Sequence, residues 1–257
     1  MSDSDEVLLV GGNLTRVVRV GDTVRRAAGP WTPLVHRLLR HIRAKGFEFA
    51  PIPMGLDEAG REVLSFIPGD TIVGHPWPAW VWSDQLLVEA VHALRDYHEA
   101  VSDFRPIVVQ SRLGQVPLET GQIVCHNDFA PYNCVARDGH FAGVFDWDVI
   151  WAGRPEWDLS FFIWQWVPLH SPSNELHWRT TDECARRLKI ILEEYGSLDC
   201  DDIVQVVIHR IESSRNGILS RADAGDASFV RLKEEGHTDD MERVIEYIQS
   251  IRARLAE

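Results

Sequence analysis

Several signals that would assign this chain to a specialised class are missing from its sequence. Its 257 residues include four cysteines, whose positions show none of the spacings of a metal site. Apolar runs stay far below the roughly 20 residues that a membrane-spanning helix needs. The first ten residues, MSDSDEVLLV, are acidic and lack the basic start of a signal peptide. We therefore expect a cytoplasmic protein with reduced thiols and no membrane association.

Positive charge is scarce as well. The chain has 26 Lys and Arg residues against 39 Asp and Glu residues, a formal net charge of −13. Such a surface disfavours non-specific binding of nucleic acid and suits a cationic small molecule. A simpler interpretation, which we favour, is that the acidity aids solubility. The hydrophobic fraction of 45% is that of an ordinary globular protein, and the length allows one large domain or two lobes.

The first 66 residues predict a small antiparallel sheet with one helix. Short apolar segments separated by turns predict strands at 7–10, 17–20, 23–26, 52–56 and 62–66. Between the third and fourth segments, Thr32 is a good N-cap and Pro33 suits the first helical position. The helix is expected to end near Gly46.

The segment Ile67-Pro68-Gly69-Asp70 does not favour either a strand or a helix, and we interpret residues 65–70 as a hinge. Beyond it, helical periodicity begins with a helix capped by Ser83. Residues 103–122 are expected to form a mixed connector. Further helices are predicted at 156–166, 181–195, 201–221 and 239–255. The predicted fold class is α+β, with an N-terminal lobe over 1–66 and a larger, mainly helical C-terminal lobe over 67–257.

The stretch from Ile123 to Asp148 is the most informative part of the sequence. An apolar strand leads into a polar loop, which is followed by two apolar segments joined by a turn at Asp138-Gly139. This hairpin is expected to bring Asp128, Asn133 and Asp146 close together. Two carboxylates and an amide oxygen form an oxygen-rich site that suits Mg²⁺.

The pattern His126-x-Asp128-x-x-x-x-Asn133, followed by Asp146 at a strand end, resembles the catalytic and metal-binding loops of the protein-kinase-like superfamily. Asn127 stands where protein kinases carry Arg, and Asp146-Trp147-Asp148 where they carry Asp-Phe-Gly. Both features resemble the aminoglycoside phosphotransferase and choline kinase branch. The resemblance implies a two-lobed protein-kinase-like fold that uses ATP (or GTP) and Mg²⁺.

The resemblance also implies roles for the central residues. Asp128 would orient the attacking hydroxyl and accept its proton, while Asn133 and Asp146 would hold Mg²⁺ against the nucleotide phosphates. His126 would support the loop by hydrogen bonding without acting as the base. Each residue taken alone fits a polar loop with ordinary turn hydrogen bonds, and it is their joint pattern that favours the kinase-like interpretation.

Two further carboxylates have supporting roles in this interpretation. Asp148 either assists the metal or caps the following loop. Asp158 matches a family position that braces the catalytic loop from the start of a helix, although a plain carboxylate at a helix N-terminus would look the same.

Nucleotide binding is assigned to the N-terminal lobe. Gly12 and Asn13 lie at a turn where the family places its phosphate-covering loop, and their backbone amides could contact phosphate; a simple hairpin turn is equally compatible. The backbone groups of Ser65, Phe66 and Ile67 in the hinge would face adenine. An ordinary linker between lobes would use the same residues.

The third strand should supply a basic residue for the phosphates. Strand alternation allows one of Arg25 and Arg26 to face the cleft, and the family pattern favours Arg25. The helix that should provide its glutamate partner offers His36 and Arg40 instead. Either another acid replaces that glutamate, or the arginine binds phosphate without one.

The sequence therefore predicts an ATP- and Mg²⁺-dependent O-phosphotransferase acting on a hydroxyl of a small molecule, with an aminoglycoside or other antibiotic as leading acceptor. One alternative is a metabolic kinase for choline, an amino alcohol, homoserine or a sugar. Another is a catalytically silent nucleotide-binding protein. Expected partners are the nucleotide and the acceptor, without nucleic acid or an obligate protein partner. Trp77, Trp80 and Trp82 are expected to be largely core, with one or two tryptophans free to stack on a ligand.

Overall fold

The computed structural model describes residues 6–9, 17–74, 76–169 and 180–255. The chain forms two compact units, Met1–Asp158 and Leu159–Glu257. The first contains an antiparallel sheet whose described strands have the order β1-β2-β3-β5-β4. These strands are β1 (Val7–Leu9), β2 (Val17–Val20), β3 (Thr23–Ala27), β4 (Pro53–Leu56) and β5 (Arg61–Ser65). The predicted strands and their antiparallel pairing are confirmed.

Helix α1 (Thr32–Ala44) follows the third strand, as predicted. Its N-cap is Trp31 rather than Thr32, because the Thr32 hydroxyl accepts a hydrogen bond from the Gly29 amide, outside the helix, at 3.0 Å. Leu38 and Ile42 are buried on its apolar face. The helix thereby becomes part of the core beside the sheet.

The rest of the first unit contains one long helix and three strand pairs. Helix α2 (Asp84–Val101) starts where predicted, since the Ser83 hydroxyl accepts a hydrogen bond from the Leu86 amide. The strands are β6 (Val108–Ser111), β7 (Gly114–Pro117), β8 (Ile123–Cys125), β9 (Cys134–Arg137), β10 (His140–Val144) and β11 (Trp151–Gly153). The hairpin β9–β10 was predicted, whereas the hairpin β6–β7 and the pairing of β8 with β11 were not. These strands are only three or four residues long, which leaves little periodicity to detect.

The segment predicted as a hinge is closely attached to the hairpin. The backbone of Asp70 exchanges two hydrogen bonds with that of Ala136, at 2.7 and 2.9 Å. A Cβ atom on Gly69 would lie 2.3 Å from the Ala136 carbonyl oxygen, so this approach requires glycine. The predicted lobe boundary at residues 65–70 stays a prediction, because the first compact unit includes both the sheet and the hairpin.

All regular secondary structure among the described residues of the second unit is helical. Helix α3 (Pro155–Trp166) leads into it and is followed by α4 (Thr181–Tyr195), α5 (Ile203–Asp223), α6 (Ala227–Glu234) and α7 (His237–Leu255). Stacked rings of Phe162 and Trp166, with centroids 5.1 Å apart, form part of its core. Helix α6 was not predicted, since a helix of eight residues shows little periodicity.

The predicted α+β class is confirmed, with a small antiparallel sheet preceding a mainly helical part. Among the described residues, none of the helices combines the length and apolarity that crossing a lipid bilayer requires.

Candidate active site

The candidate site is built on the loop between β8 and β9. Its first residue, His126, is fully buried and packs edge-to-face on Trp147 with ring centroids 4.5 Å apart. Its Nδ1 accepts from the Asp128 amide at 3.2 Å, so Nε2 carries the proton and donates to the Phe145 carbonyl at 3.2 Å. Burial lowers the pKa of His126 and favours the neutral ring. His126 therefore links this loop to the residue that follows β10, a position suited to a supporting role.

Asp158 lies beneath the same loop. Its carboxylate accepts hydrogen bonds from the amides of His126 and Asn127, at 2.8 and 2.7 Å, and contacts the His98 ring at 3.1 Å. Asn127 has a φ of 68°, a left-handed conformation that needs such support in a residue other than glycine. Asp158 therefore stabilises a strained turn directly before Asp128.

Asp128 is half-buried, and its two carboxylate oxygens contact different neighbours. One accepts a hydrogen bond from the Asn133 side-chain amide at 2.8 Å. The other accepts from the Tyr132 hydroxyl at 2.8 Å. Both donors orient the carboxylate. Tyr132 was not predicted as a site residue, because a tyrosine in the loop carries no signal until the short 3-10 turn Pro131–Asn133 brings its hydroxyl back to Asp128.

The structure brings Asn133 and Asp146 to the same place. The Phe145 amide donates to the Asn133 carbonyl at 2.9 Å, which sets Asp146 next to Asn133. Asn133 donates from its side-chain nitrogen to Asp128, so its amide oxygen is the atom suited to a cation. Asp146 has a φ of 63° and keeps 46% of its side chain exposed.

The oxygen ligands offered by Asn133 and Asp146 fit Mg²⁺ only if the phosphate oxygens of a nucleotide supply further ligands. Within the described ranges, no group of three or more His, Cys, Asp or Glu side chains is arranged to hold a metal ion. One carboxylate from Asp146 and one amide oxygen from Asn133 would leave the other positions of a bound Mg²⁺ to water and phosphate oxygens. Mg²⁺ in phosphoryl-transfer sites is commonly held in this way.

The basic residue of β3 that contacts this group is Arg26. Its guanidinium lies 3.2 Å from Asp146, 2.5 Å from Asp148 and 2.5 Å from Glu62. Burial lowers the pKa of Arg26, but these three carboxylates raise it by more, so the side chain stays charged. The predicted residue, Arg25, points to the other face, where it lies 3.6 Å from Asp57. The two arginines therefore lie on opposite faces, as strand alternation predicts, and Arg26 is the one that contacts Asp146. Which of them binds the nucleotide phosphates stays a prediction.

Glu62 on β5 supplies a carboxylate partner for Arg26. It lies opposite Arg26 in the β3–β5 register and has 1% of its side chain exposed. One oxygen contacts Arg26, and the other lies 2.9 Å from His36 Nε2 on α1. The helix thus provides a histidine where a glutamate was expected, and the neighbouring strand provides the glutamate. Glu62 lies beside Arg26 because of the register between β3 and β5, which the sequence alone does not give.

Asp148 is enclosed more deeply than Asp146. It is 4% exposed and is bound to Arg26. Burial raises the pKa of Asp148 to about 6, against the opposing charge of Arg26. Its position favours holding Arg26 in place over direct contact with a metal.

The predicted adenine-facing residues already use part of their backbone. The Ser65 amide donates to the Ile52 carbonyl, and the Phe66 amide donates to the Asp22 carbonyl. Contacts with adenine would therefore involve the carbonyl groups of this segment and Ile67. The phosphate-loop residues Gly12 and Asn13 lie outside the described residues.

No family model matches the chain. Its fold resembles amicoumacin kinase hAmiN solved with AMP-PNP, Ca²⁺ and Ami, at 12% identity and a TM-score of 0.68, covering 96% of this chain and 89% of the other. It also resembles a macrolide 2'-phosphotransferase from Brachybacterium faecium, at 14% identity, a TM-score of 0.57 and coverage of 90% and 91%. A streptomycin–ATP complex of the aminoglycoside phosphotransferase APH(2")-IIa aligns at 11% identity, a TM-score of 0.54 and 93% of both chains.

These structural likenesses show that the chain has the fold that these kinases and phosphotransferases share. Among curated proteins, the trifolitoxin immunity protein of Rhizobium leguminosarum bv. trifolii is 34% identical over 200 residues, which are 75% of each protein. The chain belongs to the family of the trifolitoxin immunity protein.

Proposed function

We propose that the protein is an ATP- and Mg²⁺-dependent O-phosphotransferase that acts on a hydroxyl of an antibiotic or toxin. The observation that carries this proposal is one continuous set of contacts. Asp128 is hydrogen-bonded to Asn133, whose backbone accepts from Phe145 next to Asp146. Asp146 in turn contacts Arg26. A base, two oxygen ligands and a cation for phosphate are therefore connected within one region.

In the proposed reaction, Asp128 accepts a hydrogen bond from the acceptor hydroxyl and aligns its oxygen with the γ-phosphorus. The new bond joins that oxygen to phosphorus, the bond between phosphorus and the β–γ bridging oxygen breaks, and the hydroxyl proton passes to Asp128. Asn133 and Asp146 would hold Mg²⁺, which neutralises charge on the phosphates when bound. Arg26 exchanges its contact with Asp146 for the nucleotide phosphates, while Glu62 and Asp148 keep it in place.

The acceptor class is supported by the relatives. The trifolitoxin immunity protein is named for protection against a toxin, and two of the structural neighbours are named for macrolide and amicoumacin. Modification of an incoming toxin would take place in the cytoplasm, where ATP is available. A metabolic kinase would use the same catalytic residues, so only the identity of the acceptor distinguishes it from a toxin kinase. A silent nucleotide-binding protein would not need the half-exposed Asp128 with its two oriented oxygens.

The test has two parts. ATP with Mg²⁺ is expected to raise the melting temperature of the wild type, and no rise would refute the nucleotide-binding part of the proposal. ADP release is then measured across antibiotics, peptide toxins and amino alcohols. Asp128→Asn should lower turnover by about 10²–10⁴-fold without weakening ATP binding. Asp138→Asn, in the exposed turn of the hairpin, is the matched control. Protection of a sensitive host distinguishes a toxin kinase from a metabolic one.

A further inference from the structure

Helix α1 and its N-cap contact two of the three carboxylates that bind Arg26. Within the helix, His36 Nε2 lies 2.9 Å from one oxygen of Glu62, whose other oxygen accepts from Arg26 Nε at 2.5 Å. An ionised carboxylate has no proton to donate, so the histidine ring is the donor. Both His36 and Glu62 are buried. The helix thus holds the Glu62 oxygen that Arg26 leaves over.

The N-cap of α1 reaches the opposite side of the same guanidinium. The side chain of Trp31 is hydrogen-bonded to that of Asp148, and an indole nitrogen can only be the donor. Asp148 in turn accepts from Arg26 Nη2 at 2.5 Å. The indole packs closely on Gly29, where an added Cβ atom would lie 2.4 Å from a ring carbon. A second carboxylate partner of Arg26 is therefore also held from α1.

These two contacts determine where the third guanidinium nitrogen points. Arg26 Nε is bound to Glu62, and Nη2 is bound to Asp148. Because the guanidinium is planar, fixing two of its nitrogens fixes the direction of Nη1. Nη1 lies 3.2 Å from Asp146, whose side chain is partly exposed. It is the nitrogen best placed to exchange its partner for a nucleotide phosphate.

Resting on the phosphotransferase function proposed above, we propose that Trp31 and His36 are positioning residues for phosphate binding. Neither touches the nucleotide. Trp31 acts through Asp148 and His36 acts through Glu62, and together they orient the guanidinium of Arg26. The strand supplies the positive charge, and the helix determines the direction in which that charge is presented.

Two ligands distinguish positioning from a general effect on the fold. Adenosine has the base and ribose of ATP but no phosphate. In calorimetric titration of the full chain, His36→Leu should raise the Kd for ATP with Mg²⁺ about tenfold and change the Kd for adenosine by less than about twofold. His36→Gln, whose side-chain amide can still donate to Glu62, should keep most of the ATP affinity. Equal weakening of both ligands, or of neither, would overturn the role of His36.

His41 provides a matched control on the same helix. Its Nε2 lies 2.8 Å from Asp103, so this contact also joins an α1 histidine to a carboxylate, but on the exposed side of the helix. His41→Leu should leave the Kd values for ATP and adenosine unchanged. If it weakens ATP binding as much as His36→Leu does, any loosening of α1 has this effect and the proposal fails.

Two milder variants test the indole. Trp31→Phe removes the N–H and keeps an aromatic ring, whereas Gly29→Ala places a methyl group where the indole now packs and changes none of the side chains around Arg26. Each should raise the Kd for ATP with Mg²⁺ by about three- to tenfold and spare adenosine. Wild-type ATP affinity in Trp31→Phe would refute the role of Trp31.

The failure of this inference differs from the failure of the proposed function. If the wild type binds no ATP with Mg²⁺, the proposed function is wrong and the positioning role falls with it. If the wild type binds ATP and Asp128→Asn abolishes turnover, but the α1 variants weaken ATP and adenosine alike, only the positioning role is wrong.

Discussion

A guanidinium nitrogen of Arg26 lies 2.5 Å from a carboxylate oxygen of Glu62, and both side chains are buried. The resemblance to kinase-like proteins implies such a pair between a strand arginine, predicted as Arg25, and a glutamate from the helix, where this sequence has His36 and Arg40 instead. The structure instead forms it across neighbouring strands, and His36 of α1 binds the second oxygen of Glu62 at 2.9 Å. The helix is thus connected to Arg26 through the carboxylate of Glu62.

Glu62→Gln should weaken nucleotide binding and lower stability. The neutral glutamine leaves the buried positive charge of Arg26 with one carboxylate fewer, so we expect the free energy of unfolding to fall by about 3 kcal/mol. The Kd for ATP with Mg²⁺ should rise about tenfold, since Arg26 is no longer held on both sides. Denaturant unfolding and calorimetric titration measure the two effects. Glu58→Gln, exposed in the preceding turn, should change neither.

A glutamate introduced on α1 should restore part of the ATP affinity that Glu62→Gln loses. In Glu62→Gln/His36→Glu, a carboxylate on α1 takes the position that the family resemblance implied for it. We expect the Kd for ATP to recover by severalfold relative to Glu62→Gln alone. Unchanged binding in the double variant, with the single variant impaired, would show that Glu62 does more than hold Arg26.

The two arginines of β3 provide a matched pair of variants. Arg26→Lys loses the planar group that contacts Asp146, Asp148 and Glu62, so it should reduce the thermal shift caused by ATP and Mg²⁺. Arg25→Lys alters a residue near Asp57 on the other face and should preserve that shift. The reverse result would return the phosphate-binding role to Arg25.

Asp158→Asn should produce a pH-dependent loss of stability. Burial alone would raise the pKa of Asp158, but hydrogen bonds from His98 and the Asn127 amide lower it by more, below the ordinary value for aspartate. Its contribution is therefore complete above the unfolded pKa of about 4 and is lost as pH falls through the folded pKa. We expect a deficit of about 2 kcal/mol at neutral pH that shrinks in acid. A pH-independent deficit in chemical denaturation would contradict this role.

Gly143 is predicted to be intolerant of any side chain. A Cβ atom there would lie 2.8 Å from the Phe49 carbonyl oxygen and 2.9 Å from Ile67 Cδ1. Gly143→Ala should therefore cost about 1–3 kcal/mol of unfolding free energy. Gly217→Ala, on α5 with open space around it, should stabilise the protein by about 0.5–1 kcal/mol. A melting temperature unchanged by the first substitution would exclude the close contact.

The sequence predicted those helix starts and turns that depend on neighbouring residues alone. Ser83 starts α2, the turn at Asp138-Gly139 forms β9–β10, and the predicted α4 has the observed bounds Thr181–Tyr195. Capping, turn conformation and amphipathic spacing act over three or four residues and are therefore visible in sequence. The hairpin β6–β7 and helix α6 were missed because short elements depend on packing for their stability.

The sequence by itself determined the order of the longer helices and of the first five strands, the α+β class and the stretch from Ile123 to Asp148, because spacing along the chain encodes them. Only the tertiary structure decided that Arg26 and not Arg25 contacts Asp146, that Glu62 replaces the helix acid, and that Tyr132 reaches Asp128. Strand register and the curvature of the loop determine those contacts. Both depend on packing among segments far apart in the chain, which spacing alone does not specify.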